Sequence, residues 1–389
     1  MLPEAKAGAQ LLERAAELVA EGHRLETAAR GLSGALSPLL RSMNSYYSNR
    51  IEGQHTRPRD IARALAKNLD ADRELARKQR LAVAHIDAES ALERALPSDR
   101  AQLYAPEFVK RIHSELYGRL PEHDRLDPTG RRIIPGVTRT TEVTAGRHLA
   151  PPARDVPGLL AQWQEAYSKV PGIEQALVSA ACAHHRLLWV HPFLDGNGRT
   201  ARMHTHLVLD ALELTHGLWS PLRGMARAHE EYYARLNNAD LPRRYDLDGR
   251  GPLSQEELVA FASWFLDICL DQARFMRRLL GLEQLKERIA DLLLWLSANP
   301  WVVGSEKSVI KTEALEALHY VAISGPLDRS RFLAMTGLPP RTARRVLASL
   351  LDFGVLEAES PRAKVQFAVP LQSLRFLFPH LWPEAEADV

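Results

Sequence analysis

The segment HPFLDGNGRTAR at residues 191–202 constrains the fold most, because it joins two helix-forming stretches through a glycine-rich turn. Gly196 and Gly198 bracket Asn197, so the backbone can turn sharply there and bring consecutive N–H groups to one concave side. A helix that begins near Arg199 adds the unpaired N–H donors of its first turn. The segment therefore predicts a loop that binds an anion.

Four side chains of the same segment suit chemistry on a bound polyphosphate. Arg199 and Arg202 lie three residues apart, so they point from one face of the first helical turn, where their guanidinium groups can hold phosphates. Asp195 is the hard oxygen ligand expected to hold a phosphate-bound Mg²⁺, and His191 is the group that can take a proton near neutral pH. Taken singly, such residues more often have structural roles, and it is their combination that points to nucleotide chemistry. Neither GxxxxGK(S/T) nor GxGxxG occurs, which disfavours the nucleotide-binding classes built on those loops.

Length and composition limit the remaining classes. The 389 residues, at roughly 100–200 residues per domain, predict two or three domains. Apolar residues make up 46% and charged residues 25%, a balance that excludes a disordered or fibrous chain. Lys and Arg number 50 against 48 for Asp and Glu, so the net charge of +2 argues against nucleic-acid binding by the whole molecule and leaves room for a local basic patch.

The cysteines and the hydropathy pattern favour a cytoplasmic protein. Cys182 and Cys269 lie far apart in apolar stretches and support neither a disulfide framework nor a zinc site, so we expect a reducing compartment. The N-terminal stretch carries Glu and Lys within an amphipathic pattern and lacks the apolar core of a signal peptide. No stretch approaches about eighteen uninterrupted apolar residues, so neither export nor membrane spanning is expected.

Apolar residues at helical spacing predict a mainly α fold. Asp155, followed by Pro157, is expected to cap the helix that begins there. The predicted helices cover residues 6–95, with a short helix from about 42 to Gly53 between two longer runs. Another helical block begins after the turn at 97–99 and precedes a loop at 118–130, and further helices cover 155–167, 173–189, 199–214, 226–238 and 254–292.

Two segments depart from the helical pattern. The threonine-rich residues 139–148, closed by Pro151 and Pro152, predict a short β-hairpin. Near the C-terminus the pattern gives two helices, a TGLPP turn, a third helix and two short strands, and residues 326–370 resemble a winged helix-turn-helix.

The motif HPFxDGNGRxxR, matched here at every fixed position, resembles the signature of the Fic family, whose members transfer AMP from ATP to hydroxyl side chains of proteins. AHHRLLWV before the motif resembles the family's helix into the active site, although Leu187 stands where an aromatic residue is usual. TRTTEVTAGRHLAPP resembles the family's flap hairpin, and EYYARL at 231–236 resembles its Tyr-Tyr helix. The resemblance covers roughly residues 42–270 and implies a Fic-type helical core with a β-hairpin flap.

The resemblance implies a role for each motif residue. His191 would be the general base that takes the proton from a Ser, Thr or Tyr hydroxyl of a target protein, or of the chain itself, while that hydroxyl attacks the α-phosphate of ATP and pyrophosphate leaves. Asp195 would hold Mg²⁺ on the phosphates, and Arg199 and Arg202 would clamp the β- and γ-phosphates. The other implied nucleotide contacts are Gly196, Asn197 and Gly198 in the loop, Ala145, Gly146, Arg147 and His148 in the flap, and Tyr232 beside the adenine. By spacing alone, Tyr232 is equally well a buried helix aromatic.

SNRIEG, residues 48–53, resembles the (S/T)xxxE(G/N) pattern with which Fic proteins inhibit themselves. The resemblance makes Ser48, Glu52 and Gly53 regulatory residues on an inhibitory helix at about 42–53. Glu52 would pair with Arg202 and deny that guanidinium to the γ-phosphate, so that ATP binds misaligned. The alternative is an ordinary helix end with Gly53 as its cap.

The sequence divides into an N-terminal helical region at 1–95, a Fic catalytic core at 96–292 and a winged helix-turn-helix domain at 293–389. The last domain is expected to dock DNA or protein, through Arg341, Arg344 and Arg345 on its second helix and Arg362 and Lys364 on the wing, against the opposing charges of Asp352, Glu357 and Glu359. Self-modification and a homodimer are compatible with the sequence. Two alternatives stay open: a nucleotide-sensing DNA-binding regulator, and a Fic enzyme that uses another nucleotide donor or removes AMP. A third, a docking protein with a degenerate core, is disfavoured because His191, Asp195 and both arginines are intact.

Overall fold

The computed structural model of the chain describes residues 5–246, 248–249, 251–303 and 308–387. Within these ranges the chain forms seventeen α-helices and two small antiparallel sheets, which confirms the expected mainly α fold. The N-terminal helices are α1 (Ala5–Ala29), α2 (Ser33–Ile51), α3 (Pro58–Leu65) and α4 (Arg73–Glu93). The central helices are α5 (Pro106–Gly118), α6 (Val156–Tyr167), α7 (Ile173–Val190), α8 (Asn197–Ala211), α9 (Leu222–Arg227), α10 (His229–Ala239) and α11 (Gln255–Leu279). The C-terminal helices are α12 (Leu282–Ala298), α13 (Leu315–Ser324), α14 (Arg329–Met335), α15 (Pro340–Phe353), α16 (Leu374–Leu377) and α17 (Pro383–Glu386).

The two sheets are short hairpins. β1 (Thr144–Ala145) pairs with β2 (His148–Leu149), with Thr144 opposite Leu149, where the threonine-rich segment predicts a hairpin. β3 (Leu356–Glu357) pairs with β4 (Gln366–Phe367) after α15. The order α13, α14, α15, β3, β4 is the order expected of a winged helix-turn-helix.

A continuous apolar core joins the N-terminal and central helices. The stripe Leu11, Ala15 and Leu18 of α1 is buried, and α1 packs against α11 and α7. α7 and α8 pack on each other and bring the residues on either side of the glycine-rich turn into the core. No helix within the described ranges is both long and apolar enough to cross a bilayer.

Three sequence-based helix predictions were wrong in detail. The side chain of Asp155 makes no capping hydrogen bond, because a 3-10 turn at Ala153–Asp155 runs directly into α6. The run 226–238 divides at Ala228 into the end of α9 and the whole of α10. The run 254–292 breaks between α11 and α12, where Gly281 leaves the helical conformation with ψ 116°.

The helix that carries SNRIEG is longer than expected. The sequence predicts a short helix at about 42–53, and α2 runs instead from Ser33 to Ile51 with Pro38 inside it. Its end lies where Gly53 predicts it: Gly53 has φ +72°, and the N–H of Gln54 donates to the carbonyl of Asn49 at 2.9 Å. Glu52 therefore projects from the C-terminal end of a five-turn helix whose orientation its packing fixes.

The C-terminal segment packs on the same helix. The ring of buried Trp382 meets the ring of Tyr46 edge-on at a centroid distance of 5.5 Å. The carboxylate of Glu384 accepts hydrogen bonds from the Tyr47 hydroxyl at 2.9 Å and from the Arg50 guanidinium at 2.5 Å. α17 is thus fastened to the last two turns of α2.

Candidate active site

The glycine-rich turn between α7 and α8 is held by backbone conformation and by one amide. His191 ends α7 in the left-handed region at φ 50°, and Gly196 follows at φ 80°. A side chain on Gly196 would also collide with the ring of Tyr117, so two constraints require glycine there. The Asn197 side chain accepts from the Phe193 N–H at 2.8 Å and donates to the Phe193 carbonyl at 2.9 Å. Asn197 is therefore the internal brace of the loop, and its amide faces Phe193.

His191 is poised to accept a proton. Its Nδ1 lies 3.1 Å from the carbonyl oxygen of Leu188, which favours a proton on Nδ1 and leaves Nε2 as the basic atom. Burial lowers the pKa of His191 to about 4, partly opposed by that hydrogen bond and by the charge of Glu52. The ring is therefore neutral at physiological pH.

Arg139 fixes the loop after α7 to the flap hairpin. Its only signal in the sequence is a charge within the threonine-rich segment. Its fully buried guanidinium donates to the His191 carbonyl at 2.8 Å and to the Pro151 carbonyl at 2.5 Å. Its backbone N–H donates to the Pro192 carbonyl at 2.9 Å. One side chain thus connects the residue after α7 with the residues that close the hairpin.

Asp195 and Arg199 form a compact polar group around Tyr117. Oδ2 of Asp195 accepts from the Tyr117 hydroxyl at 3.1 Å and from Arg199 at 3.3 Å, and Arg199 also donates to the Tyr117 oxygen at 2.8 Å. Burial works to lower the pKa of Arg199, and Tyr117, Asp195 and Glu52 outweigh it and raise that pKa. Nε of Arg199 is buried and has no hydrogen-bond partner within the described chain. An anion next to Arg199 would satisfy that orphaned donor.

Arg202 is fully buried and engaged by the end of α2. Its Nε donates to Ser48 Oγ at 3.0 Å, and its Nη2 donates to the Ser48 carbonyl at 3.0 Å and to Glu52 Oε1 at 2.5 Å. The pairing expected between Glu52 and Arg202 is therefore present. The Glu52 carboxylate also lies so close to Gly198 that a Cβ at that position would overlap Oε1. Glu52 thus fills the space directly above the loop that the sequence predicts to bind an anion.

His191, Gly198 and Arg202 open on one cavity of about 520 Å³, which we call the flap cavity. Its other walls include Glu52, the flap residues Ala145, Gly146, Arg147 and His148, and both tyrosines of α10. Gly146 has φ +59° at the tip of the hairpin, and both Gly146 and Arg147 are exposed.

His148 anchors the second strand of the flap. One ring nitrogen lies 2.9 Å from the Trp189 carbonyl, and the other lies 2.9 Å from Asp240, which also contacts His185 at 3.2 Å. Burial would raise the pKa of Asp240, and the hydrogen bonds from the two histidines bring it down to about 2. Asp240, absent from the sequence-based site, holds the flap against the end of α10.

The two tyrosines of α10 have different environments. Tyr232 is completely buried, its hydroxyl 2.8 Å from Nε2 of His184 and its ring stacked on Trp264. Tyr233 is 40% exposed, and its hydroxyl donates to the Ile51 carbonyl at 2.9 Å. Tyr232 thus forms the floor of the flap cavity, and Tyr233 is the accessible ring that also touches the end of α2.

Not all motif residues share this cavity. Asp195 and Arg199 line a second cavity of about 350 Å³ together with Tyr117, Asp124 and Asp127. The sequence predicts that Arg199 and Arg202 face one ligand together. In this conformation, with α2 engaged, they line different cavities, because Tyr117 holds one guanidinium and α2 holds the other. Glu52 stands in electrostatic contact with both arginines.

Part of this chain is similar in sequence to known proteins. Residues 103–209 match the sequence model of the Fic/DOC family. The chain is 31% identical over 119 residues to a protein adenylyltransferase Fic of Nematostella vectensis, covering 30% of this chain and 27% of the relative. It is 33% identical over 129 residues to the protein adenylyltransferase fic-1 of Caenorhabditis elegans, covering 31% of this chain and 23% of the relative. The matches thus span about a quarter of the length of these curated relatives.

A solved structure resembles the fold over nearly its whole length. The crystal structure of a Fic family protein from Desulfovibrio desulfuricans covers 95% of this chain and 99% of its own, with a TM-score of 0.52 and 17% identity. At that identity the likeness shows the fold. It confirms the Fic-type helical architecture that the sequence motif predicts.

Proposed function

We propose, from the premise that residues 103–209 form a domain of the Fic/DOC family, that this protein is an autoinhibited protein adenylyltransferase. It would transfer AMP from ATP to a Ser, Thr or Tyr hydroxyl of a target protein or of itself. The observation that carries the proposal is the flap cavity, where a neutral buried histidine, the glycine loop and a buried arginine meet beneath a hairpin. The curated relatives named as adenylyltransferases support the same reaction class.

In this reaction His191 is the general base. With a proton on Nδ1 held by the Leu188 carbonyl, Nε2 takes the proton of the target hydroxyl. The hydroxyl oxygen forms a bond to the α-phosphorus, the bond from that phosphorus to the bridging oxygen breaks, and pyrophosphate leaves with the electron pair. Arg139 keeps the His191 backbone fixed, so proximity and orientation supply much of the rate.

Phosphate binding falls to the loop and its arginines. The first N–H groups of α8 have no acceptor within the helix and are available to donate to a bound anion. Arg199, with its orphaned Nε, and Arg202, once released from α2, would clamp the outer phosphates. Because one carboxylate together with phosphate oxygens is a usual magnesium ligand set, Asp195, whose side chain is 35% exposed, fits Mg²⁺. When bound, Mg²⁺ would neutralise charge on the phosphates.

Autoinhibition follows from the position of Glu52. Its carboxylate occupies the space above Gly198 and holds Arg202, so a γ-phosphate cannot reach that guanidinium in this conformation. A nucleotide bound without that clamp would place its α-phosphate out of line for attack. The resting state would therefore be a low-activity state set by one ion pair.

The test is AMP transfer by three alanine variants of the full chain, incubated with ATP and Mg²⁺ and examined by intact-protein mass spectrometry. A charge-assisted hydrogen bond is worth about 1.5–3 kcal/mol, so Glu52→Ala should raise the rate of AMP incorporation by about 10- to 150-fold. Glu115→Ala removes a surface partner of Arg119 and should leave the rate unchanged. His191→Ala should abolish transfer.

A folded Glu52→Ala protein that gains no AMP in the presence of ATP would overturn the proposal. Parallel incubations with GTP, CTP and UTP measure nucleotide preference. If an adduct forms from only one of these three, that nucleotide and not ATP is the donor. Loss of AMP from a pre-modified protein, dependent on Glu52, would instead show the reverse activity.

The C-terminal module supports a second, separable proposal of docking to DNA or protein. Five of its basic residues are exposed on α15 and the β3–β4 wing: Arg341, Arg344, Arg345, Arg362 and Lys364. A mobility shift with duplex DNA that weakens with salt would indicate DNA binding, and no shift at low salt would leave protein as the partner class.

A further inference from the structure

A buried cluster of ionisable side chains lies outside the site described above, between α4 and α8. We call Glu89, Glu93 and His206 the α4–α8 cluster. One donor atom from each of the three lies within 4.8 Å of the others. Nε2 of His206 lies 3.2 Å from Oε1 of Glu93 and 3.5 Å from Oε1 of Glu89. The three side chains are 2–19% exposed, so the cluster is shielded from bulk water.

These separations match the spacing of ligands around a small divalent cation. Zn²⁺ bound at about 2.0–2.2 Å by nitrogen and oxygen ligands holds neighbouring donor atoms about 3.3 Å apart. Imidazole and carboxylate are ligand types that Zn²⁺, Mn²⁺ and Fe²⁺ share. Two carboxylates offer two negative charges, which a divalent ion compensates.

His85 is an independent sign of a missing ligand. It is fully buried one turn before Glu89 on α4, and neither of its ring nitrogens has a hydrogen-bond partner within the described chain. Its Nδ1 lies 3.6 Å from Oε2 of Glu89, at the edge of the cluster. A buried imidazole without any partner is costly, and coordination to an ion in the cluster would satisfy it.

Residues of α2 orient the two carboxylates from behind. Asn44 donates to Glu89 Oε1 at 2.7 Å, and Arg41 donates to Glu93 Oε2 at 2.8 Å. Such outer contacts to ligating carboxylates hold them in a binding geometry. They also place the cluster at the junction of α2, α4 and α8.

We propose that Glu89, Glu93 and His206, with His85 as a fourth ligand, bind one divalent transition-metal ion of the Zn²⁺ type. The site is separate from Asp195 and from the phosphate-binding loop, so it stands or falls independently of adenylyl transfer. The competing occupant is a proton on His206 that bridges the two carboxylates.

The test titrates Co²⁺ and Zn²⁺ into the chelator-treated full chain. Co²⁺ should produce a visible absorption band typical of a four-coordinate site, which saturates at one equivalent of Co²⁺. One equivalent of Zn²⁺ should displace the Co²⁺ and abolish the band. Glu93→Gln and His206→Asn should weaken binding by more than about 100-fold, and Asn44→Ala, which removes only an outer contact, by about 10-fold. Asp195→Asn and the exposed control His123→Asn should bind as the parent does. Absorption that persists in Glu93→Gln and His206→Asn would overturn the proposal.

A measurement on the unaltered chain covers the case in which a variant does not fold. X-ray absorption at the zinc edge should show two imidazoles with oxygen ligands, and Zn²⁺ should raise the melting temperature. A spectrum without imidazole scattering, or no uptake of either ion above background, would assign the cluster to a bridging proton instead.

Discussion

We predict that Glu384→Gln raises AMP incorporation, although Glu384 lies on α17 and does not line the flap cavity. Glu384 on α17 holds Tyr47 and Arg50, and these flank Ser48 on the last turns of α2. Weakening this attachment makes it easier for α2 to move and for Glu52 to leave Arg202. We expect the rate of AMP incorporation to rise.

The structure sets the size of the effect. The pair of Arg50 and Glu384 is 41% and 30% exposed, so solvent screening limits it to about 0.2–1 kcal/mol. The Tyr47 hydroxyl is nearly buried, and burial raises its pKa, so its hydrogen bond to a carboxylate is stronger, although the amide of Gln still accepts it. Losing half of a bond worth about 1.5–3 kcal/mol brings the total to about 1–2.5 kcal/mol. If all of this favours the released helix, activity rises by about 5- to 70-fold.

The assay measures initial rates of AMP incorporation from radiolabelled ATP. Glu386→Gln is the matched control, because the Glu386 carboxylate accepts from the His380 N–H, and no hydrogen bond or ion pair joins it to α2 among the described residues. In a Glu52→Ala background, Glu384→Gln should add nothing further, since both changes release the same arginine. A rise below about twofold, or an equal rise in the Glu52→Ala background, would refute the coupling.

Two further predictions concern the catalytic loop. Burial lowers the pKa of His191 to about 4, and the neutral ring is the active form. In the Glu52→Ala protein, kcat/KM should therefore fall with acid only at a pH well below 6.5, the ordinary pKa of a histidine. A pH profile of kcat/KM with its midpoint near 6.5 would contradict this. Arg139→Lys keeps the positive charge, but a lysine cannot donate to the carbonyls of both His191 and Pro151. We therefore expect kcat to fall about 10- to 100-fold, with a smaller change in KM. The exposed control Arg154→Lys should change neither kcat nor KM.

The local features of the loop could be predicted from the sequence, because they depend on neighbouring residues. Gly196 and Gly198 predict the turn, Gly53 predicts the end of α2, and the threonine-rich segment predicts the hairpin. These positions are decided by backbone conformation within a few residues.

The partners of the motif side chains could not be predicted in this way. Tyr117 lies 82 positions before Arg199 in sequence, and Ser48 lies 154 positions before Arg202, so no periodicity links them. The separation of Arg199 from Arg202 follows from these distant partners. The broken helices at Ala228 and Gly281 have the same origin, since tertiary packing overrode a helical pattern that continues across both positions.

The helix α2 connects the α4–α8 cluster, the phosphate-binding loop and the C-terminal helix α17. In its middle Arg41 and Asn44 face the α4–α8 cluster. Its C-terminal end carries Glu52 against α8 and receives the contacts of Glu384 from α17. A helix of this length moves largely as a rigid body, so a displacement at one contact shifts the others. Coupling of this kind is reciprocal. If a partner draws α17 away from α2 and thereby strengthens the binding of ATP, then ATP bound to Arg202 must strengthen the binding of that partner by the same factor. The C-terminal module would then sense nucleotide as much as it controls its use.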